Sequence, residues 1–233
     1  MKRILIFAVL LFTAAAVRAE GTDLKPPAKG KIRVAVPISE GATMIDFAGP
    51  WEVFQDVHIE SRGATMADHM PFRLFTVADS RAPIRTSGGM QVTPEYTFDD
   101  APKPAIVVVG AQGGRSPKMM EWLRRAATQS QVLMSVCTGA YKLAMAGVLD
   151  GKKASTHHDF WDDFEKRFPK VSLQRDVRYV RSDPVIFTAG GLTSGIDLAL
   201  HVVELYFGRE VAAQTARYME YEGKGWMRPE GGD

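Results

Sequence analysis

Three short, almost purely apolar runs dominate the sequence, and each is followed by a segment with helical character. The runs are IRVAVPI at residues 32–38, AIVVV at 105–109 and VLMSV at 132–136. Runs of this length are too brief for buried helices, and strands that are apolar on both faces are typical of parallel sheets covered by helices. The pattern therefore predicts an α/β fold, a three-layer sandwich with a mostly parallel sheet.

The segments between these runs continue the alternation of strands and helices. Further strands are predicted at residues 72–78 and 152–156, and hairpins at 84–96 and at 178–189 around Asp183-Pro184. Helices are predicted at residues 46–57, 117–127, 141–146, 159–168, 194–207 and 210–221. Residues 61–68 are small and polar, which predicts a mobile surface loop that could also cover a site.

The N-terminal region has the layout of a secretory signal peptide. A basic start, Lys2-Arg3, precedes an apolar stretch at residues 4–17 and a small-residue junction at Ala19. The apolar stretch is shorter than the roughly 20 residues that a membrane-spanning helix needs, although a buried first strand is an alternative. We expect a signal peptide at residues 1–19, a linker at 20–31, one domain at 32–221 and a tail at 222–233. The mature protein would then be periplasmic or secreted, without a stable membrane anchor.

The composition is that of an ordinary globular domain. The chain is 45% hydrophobic and 24% charged, with a formal net charge of +2. Its Lys and Arg residues are scattered, so the sequence gives no electrostatic footprint for nucleic acid, and we expect none as a partner.

Cys137 is the only cysteine, and it stands between a predicted strand and a predicted helix in the order Cys-Thr-Gly-Ala. A strand that turns sharply into a helix presents the turn side chain at the sheet edge, beside unpaired helix N–H groups. We therefore expect an activated thiol with a lowered pKa. The alternative is a small buried hydrophobic residue. A disulfide within one chain is excluded because there is no second cysteine.

Three other segments should end at the same edge of the sheet, where ligands of such folds bind. They contribute Asp46, the loop Gly110-Ala111-Gln112-Gly113-Gly114 and the pair His157-His158. Each has a purely structural alternative: Asp46 as a helix N-cap, the glycines as a turn, and the histidines as a helix start and a surface residue. His58 and His69 are isolated, so we expect no metal and no cofactor.

Three spaced motifs resemble the ThiJ/PfpI family of the glutamine-amidotransferase-like superfamily. They are the elbow at residues 137–140, the segment Gly-Ala-x-x-x-Asp-Phe-x-Gly-Pro at 41–50, and Ala-Gly-Gly-Leu-Thr-Ser-Gly-Ile-Asp at 189–197. The resemblance covers residues 32–221 and is greatest to the isonitrile-hydratase-like branch and to the sensor-like domains of AraC-type regulators. It implies a flavodoxin-like three-layer sandwich with a nucleophile elbow.

The resemblance also implies roles for individual residues. Cys137 would be the nucleophile, Asp46 its acidic partner and Thr138 a third catalytic residue, with the backbone N–H groups of Gly114 and Thr138 as an oxyanion hole. The protease members carry a histidine directly after the cysteine, where this chain has Thr138, so peptidase activity is not expected. His157 is a second general acid/base candidate, and His158 has no expected role.

Two classes of function follow. The first is an exported cysteine enzyme acting on a small electrophilic substrate, by isonitrile hydration or by related hydrolase or amidase chemistry. The second is a non-catalytic periplasmic ligand-binding or redox-sensing protein that uses Cys137. Since the sequence runs to Asp233, we expect no DNA-binding module like that of the regulators. A homodimer is expected from the resemblance and from an apolar helix face formed by Trp51, Val53, Phe54 and Val57.

Overall fold

The computed structural model describes residues 24–27 and 30–228. The predicted signal peptide and the end of the predicted tail lie outside the described residues. Within the described part of the chain, no helix has the length and apolar character needed to cross a membrane.

A seven-stranded sheet forms the centre of the molecule, in the order β10-β11-β7-β6-β1-β2-β5. All neighbours in this sheet pair in parallel except β10 and β11, which are antiparallel. Its strands, in chain order, are β1 (Ile32–Pro37), β2 (Phe72–Ala78), β5 (Tyr96–Thr97), β6 (Ile106–Val109), β7 (Val132–Val136), β10 (Tyr179–Arg181) and β11 (Ile186–Ala189). The parallel, mostly apolar sheet confirms the predicted fold class.

Helices cover both faces of the sheet, because both faces of its strands are apolar. One layer contains α1 (Met44–Gln55), α6 (Ser194–Phe207) and α7 (Arg209–Tyr218), packed against a core that includes Val34, Val136 and Phe187. The other contains α3 (Pro117–Gln129), α4 (Gly139–Met145) and α5 (Trp161–Arg167), packed against a core that includes Ala35 and Leu133.

Several predicted elements differ in detail. The segment 84–96 forms a hairpin of β3 (Ile84–Arg85) and β4 (Gln91–Val92), but Tyr96 joins the main sheet in β5. The strand predicted at 152–156 shortens to β8 (Lys153–Ala154), which pairs with β9 (Ser172–Leu173) outside the main sheet. Residues 60–69 are mostly exposed but contain a 3₁₀ turn (Glu60–Arg62) and α2 (Met66–His69). The Thr65–Asp68 capping box accounts for the helical turn of α2.

The helix face expected to support a dimer is mostly inside the subunit. Val53, Phe54 and Val57 are 0%, 1% and 0% exposed, and only Trp51 is partly exposed. The expectation of a spare apolar face was wrong, because α1 packs against α6 and uses these side chains in the core.

Candidate active site

The turn from β7 into α4 holds Cys137 in a strained backbone conformation. Its φ of 58° lies in the left-handed region that non-glycine residues rarely adopt. Both ends of the residue are fixed: its N–H donates to Gly190 O at 2.8 Å, and the Thr156 hydroxyl donates to Cys137 O at 3.0 Å. The side chain is 6% exposed. Residues in the segments that follow two other strands, β11 and β8, therefore maintain the elbow geometry.

Asp46 lies inside α1 and is completely buried. The N-cap position of this helix is Thr43, so the interpretation of Asp46 as the cap was wrong. Its Oδ2 accepts the Ala111 N–H at 2.9 Å. A side chain at Gly110 would place a Cβ 2.9 Å from that of Asp46, so glycine is required for the loop to come this close.

The carboxylate of Asp46 lies beside the nucleophile. Oδ1 is buried and has no partner in ordinary hydrogen-bond geometry within the described chain. The Cys137 thiol interacts with this carboxylate, in a looser arrangement than a full hydrogen bond. The structure thus brings together two of the predicted site residues.

Burial raises the pKa of both acids, and the charge of Asp46 adds to the rise for Cys137. Burial raises the pKa of Asp46 from 3.8 to about 6, while the Ala111 N–H and the Cys137 thiol oppose the rise. Burial and then the Asp46 charge raise the pKa of Cys137 from 9.0 to about 11. Between these pH values the pair carries one negative charge and one proton, which the sulfur and the carboxylate share.

The expected lowering of the thiol pKa was therefore wrong in its net direction. The backbone N–H groups of Thr138 and Leu192 interact with the sulfur and lower the pKa of Cys137, as helix-terminal amides should. Burial and the Asp46 charge outweigh them. A thiolate can still form by proton transfer to Asp46, with no change in the charge of the pair.

Leu192 is a site residue that the sequence analysis missed. It lies in the turn between β11 and α6, with φ of 51°, and its N–H points to the Cys137 sulfur. The available signal was the motif Ala189-Gly190-Gly191-Leu192, a glycine pair directly after an apolar strand. That pattern resembles the glycine-containing loop after β6, whose Gly114 is a predicted oxyanion-hole residue.

The loop after β6 does not present free amides to the sulfur. Gly114 N–H donates to Ser39 Oγ at 2.8 Å, and Gly113 N–H donates to Glu40 O at 2.9 Å. The Ser39 hydroxyl in turn donates to Gln112 Oε1. Gly114 could act as an oxyanion donor only after Ser39 had released it. Thr138, in contrast, directs its N–H at the sulfur, and its hydroxyl makes no hydrogen bond to a described residue.

His157 lies beside the amide turn rather than in a hydrogen bond with the nucleophile. A Cβ at Gly191 would come within 2.3 Å of its Cδ2 atom, so the imidazole packs directly on the turn that carries Leu192. Its Nδ1 accepts the Asp159 N–H at 3.2 Å. His158 is exposed and stacks on His157. Ligand atoms of His157, His158 and Asp159 approach within 4.8 Å of one another, mostly in solvent.

Comparisons with known proteins agree with this geometry. Residues 32–205 match the DJ-1/PfpI family. Isonitrile hydratase of Pseudomonas putida is 31% identical over 182 residues, which cover 76% of this chain and 73% of that protein. The HTH-type transcriptional regulator GbdR of Pseudomonas aeruginosa is 32% identical over 65% of this chain, and the match spans only 42% of the regulator.

Solved structures share the fold. A ThiJ/PfpI family protein from Pseudomonas syringae superposes with a TM-score of 0.70 at 24% identity, covering 91% of this chain and 84% of its own. Drosophila melanogaster DJ-1beta superposes with a TM-score of 0.66 at 17% identity, covering 83% and 100%. With its family match, its sheet order and its motifs in agreement, the chain is a member of the DJ-1/PfpI family, also named ThiJ/PfpI.

Proposed function

We propose that this protein is a cysteine-dependent enzyme that hydrates small isonitriles, with Cys137 as nucleophile and Asp46 as the proton carrier. The observation that carries the proposal is the buried Asp46 carboxylate, which interacts with the Cys137 thiol and whose Oδ1 has no hydrogen-bond partner in the described chain. A fully buried carboxylate with one oxygen left without a hydrogen bond is costly, and such groups cluster at functional sites. The similarity to isonitrile hydratase supports this choice of substrate.

The reaction uses the shared proton of the pair. The Cys137 proton passes to Asp46, and the sulfur attacks the terminal isonitrile carbon to form an S–C bond. Asp46 then protonates that carbon, which gives a thioimidate, S–CH=N–R. Water adds to the same carbon and gives one proton to Asp46. Asp46 passes this proton to the nitrogen. The proton of the added hydroxyl group then goes to Asp46 as the S–C bond breaks, which leaves the formamide R–NH–CHO and restores the original protonation of the pair.

The surrounding groups fit supporting roles. The Thr138 and Leu192 N–H groups stabilise negative charge on sulfur before attack and when the thiol departs. The Thr138 hydroxyl is available to orient water, and His157 is placed to assist from the far side of the Gly191 turn. Leu192 is 40% exposed beside the sulfur, which suits an apolar substituent on the substrate.

The test is formamide production from cyclohexyl isonitrile by the purified protein, followed by NMR. The matched variant is Cys137→Ser, which keeps the size and hydrogen-bonding capacity of the side chain but removes the thiol. We expect turnover by the native protein and none above background by the variant. Equal rates for the two proteins, or no formamide from the native protein, would contradict the proposal.

A second candidate function is ligand binding without turnover. It is favoured by the 32% identity to GbdR, a transcriptional regulator. The raised pKa of Cys137 disfavours the redox-sensing form of this alternative, because oxidants react with the thiolate. Saturable binding of an isonitrile to native protein, without formamide, would support ligand binding over catalysis.

Export and self-association are part of the proposal. The signal-peptide pattern at residues 1–19 supports a periplasmic or secreted enzyme, and N-terminal sequencing of the native protein should begin at Glu20. A homodimer is proposed from the family alone. Light scattering at micromolar concentration should give twice the subunit mass, and a monomer would contradict it.

A further inference from the structure

A buried lysine on α4 lacks an acidic partner. Lys142 is 6% exposed, and its ammonium makes one long contact within the described chain, a donation to Gly113 O at 3.5 Å. An ammonium can donate three hydrogen bonds and is rarely buried without an opposite charge. No described acid forms an ion pair with it. The proposed reaction makes no use of this residue.

A second cation lies at the same loop. Arg115 is two positions beyond Gly113, is exposed, and has no hydrogen bond or ion pair to a described residue. Arg115 and burial together lower the pKa of Lys142, so the two positive charges are close enough to repel. Two acids border this loop but bond elsewhere: Glu40 accepts the Arg85 N–H at 3.1 Å, and Asp79 accepts the Ser116 hydroxyl at 2.6 Å.

A lysine can also be buried because its aliphatic stem covers apolar side chains while its head reaches water. That explanation accounts for the position of Lys142, but it does not explain a second unpaired cation beside a nearly buried ammonium. Two like charges with little compensation destabilise each other unless an anion lies between them. A guanidinium fork beside a point-like ammonium suits the oxygens of an oxyanion.

We propose that Lys142 and Arg115 form a binding site for a small oxyanion, either a carboxylate or a phosphate or sulfate group, at the Gly113 end of the loop after β6. Neither Cys137 nor Asp46 is part of this site, and its existence does not depend on the proposed reaction. An anion there would fix the loop whose other end holds Asp46 through the Ala111 N–H.

The test is thermal unfolding of the full chain at low ionic strength during titration with sodium acetate or sodium phosphate. Sodium chloride at matched ionic strength controls for general salt effects. Lys142→Met keeps the apolar stem and removes the charge, and Arg115→Gln is an exposed change that should not impair folding. Lys118→Met is the matched control, since it removes the same charge from an exposed lysine paired with Asp99.

We expect a saturable rise in Tm for the native protein and for Lys118→Met. In Lys142→Met and Arg115→Gln the apparent dissociation constant should increase by about tenfold or more, the effect of losing one charged hydrogen bond. The anion that saturates at the lower concentration identifies the ligand as a carboxylate or as a phosphate-like group. The absence of a saturable response in the native protein, or the same response in Arg115→Gln, would overturn the proposal. If Lys142→Met lowers Tm in the absence of an oxyanion and the anion response is the same as in the native protein, Lys142 only tethers the loop through its bond to Gly113 O, and the proposal is wrong.

Discussion

The turns after β6 and β7 lie side by side at the carboxyl ends of neighbouring parallel strands, yet their backbone N–H groups bind different kinds of acceptor. After β7, the Thr138 N–H is directed at the Cys137 sulfur. After β6, the N–H groups of Ala111, Gly113 and Gly114 donate to Asp46, Glu40 and Ser39. A glycine in the sequence therefore indicates where the backbone can approach another group closely. Which group its N–H binds depends on the acceptors that lie nearby. In this protein the segment after β1 supplies two of those acceptors.

In the proposed reaction, the turn after β7 carries the reacting groups and the loop after β6 only supports them. Substitutions in these two segments should therefore differ most in their effect on the rate of turnover. Cys137→Ala should reduce formamide production to background, and Asp46→Asn should reduce it by about 10²- to 10⁴-fold, the usual contribution of a general acid or base. Ser39→Ala should change it by less than about twofold. A large loss in Ser39→Ala would show that the Gly114 amide takes part in catalysis.

The turn that carries Leu192 depends on a distant buried charge. Asp197 is 1% exposed and accepts hydrogen bonds from Arg178 Nε, the Tyr221 hydroxyl and the Trp226 N–H. Arg178 O in turn accepts the Gly190 N–H. Asp197→Ala should lower the free energy of unfolding by about 3–5 kcal/mol, because it leaves these donors without their acceptor.

Urea unfolding measures this loss, and Glu121→Ala is the control. Glu121 forms an exposed i,i+4 pair with Arg125, so its removal should cost less than about 1 kcal/mol. Similar losses in the two variants would mean that the Asp197 cluster does not hold the turn.

The stability of the Asp46 region should depend on pH in a defined direction. Because burial raises the pKa of Asp46 from 3.8 to about 6, its contribution is fully present below pH 4 and is lost as the pH rises through 6. Asp46→Asn removes this loss, so the variant should be more stable than the native protein at pH 8, by up to about 3 kcal/mol.

At pH 4 the gain from Asp46→Asn should disappear, since the native carboxyl group is then largely protonated. Chemical unfolding at both pH values checks this. An equal difference at the two pH values would show that the ionisation of Asp46 is not the cause.

The smallest effect should come from the supporting loop. Ser39→Ala removes the acceptor of the Gly114 N–H at a partly buried position and should cost about 1 kcal/mol of unfolding free energy. Ser80→Ala is a suitable control, because Ser80 is exposed and its hydroxyl accepts only a local N–H bond at 3.3 Å. A loss above about 3 kcal/mol would make this loop a principal support of the fold.

The sequence was informative where structure is local. The apolar runs at β1, β6 and β7 predicted the parallel sheet, and the order Cys-Thr-Gly predicted the elbow. Leu192 could not be assigned in the same way, since its N–H reaches the sulfur only because β11 pairs with β7 in this register. The direction of the shift in the Cys137 pKa was predicted wrongly for a related reason. Helix N–H groups are visible in the sequence, but the depth of burial and the orientation of the Asp46 carboxylate are not.

The two outermost strands of the sheet, β5 and β10, have a consequence for assembly. At one edge β5 contributes two residues, and at the other β10 contributes three in an antiparallel pairing. Strands this short expose few unpaired amides and carbonyls, so they are poor templates for another strand. Addition of another strand to β5 or to β10 is therefore disfavoured. If subunits associate, contacts through helices or loops are favoured, and such contacts would leave the boundaries of the sheet as they are in the single subunit.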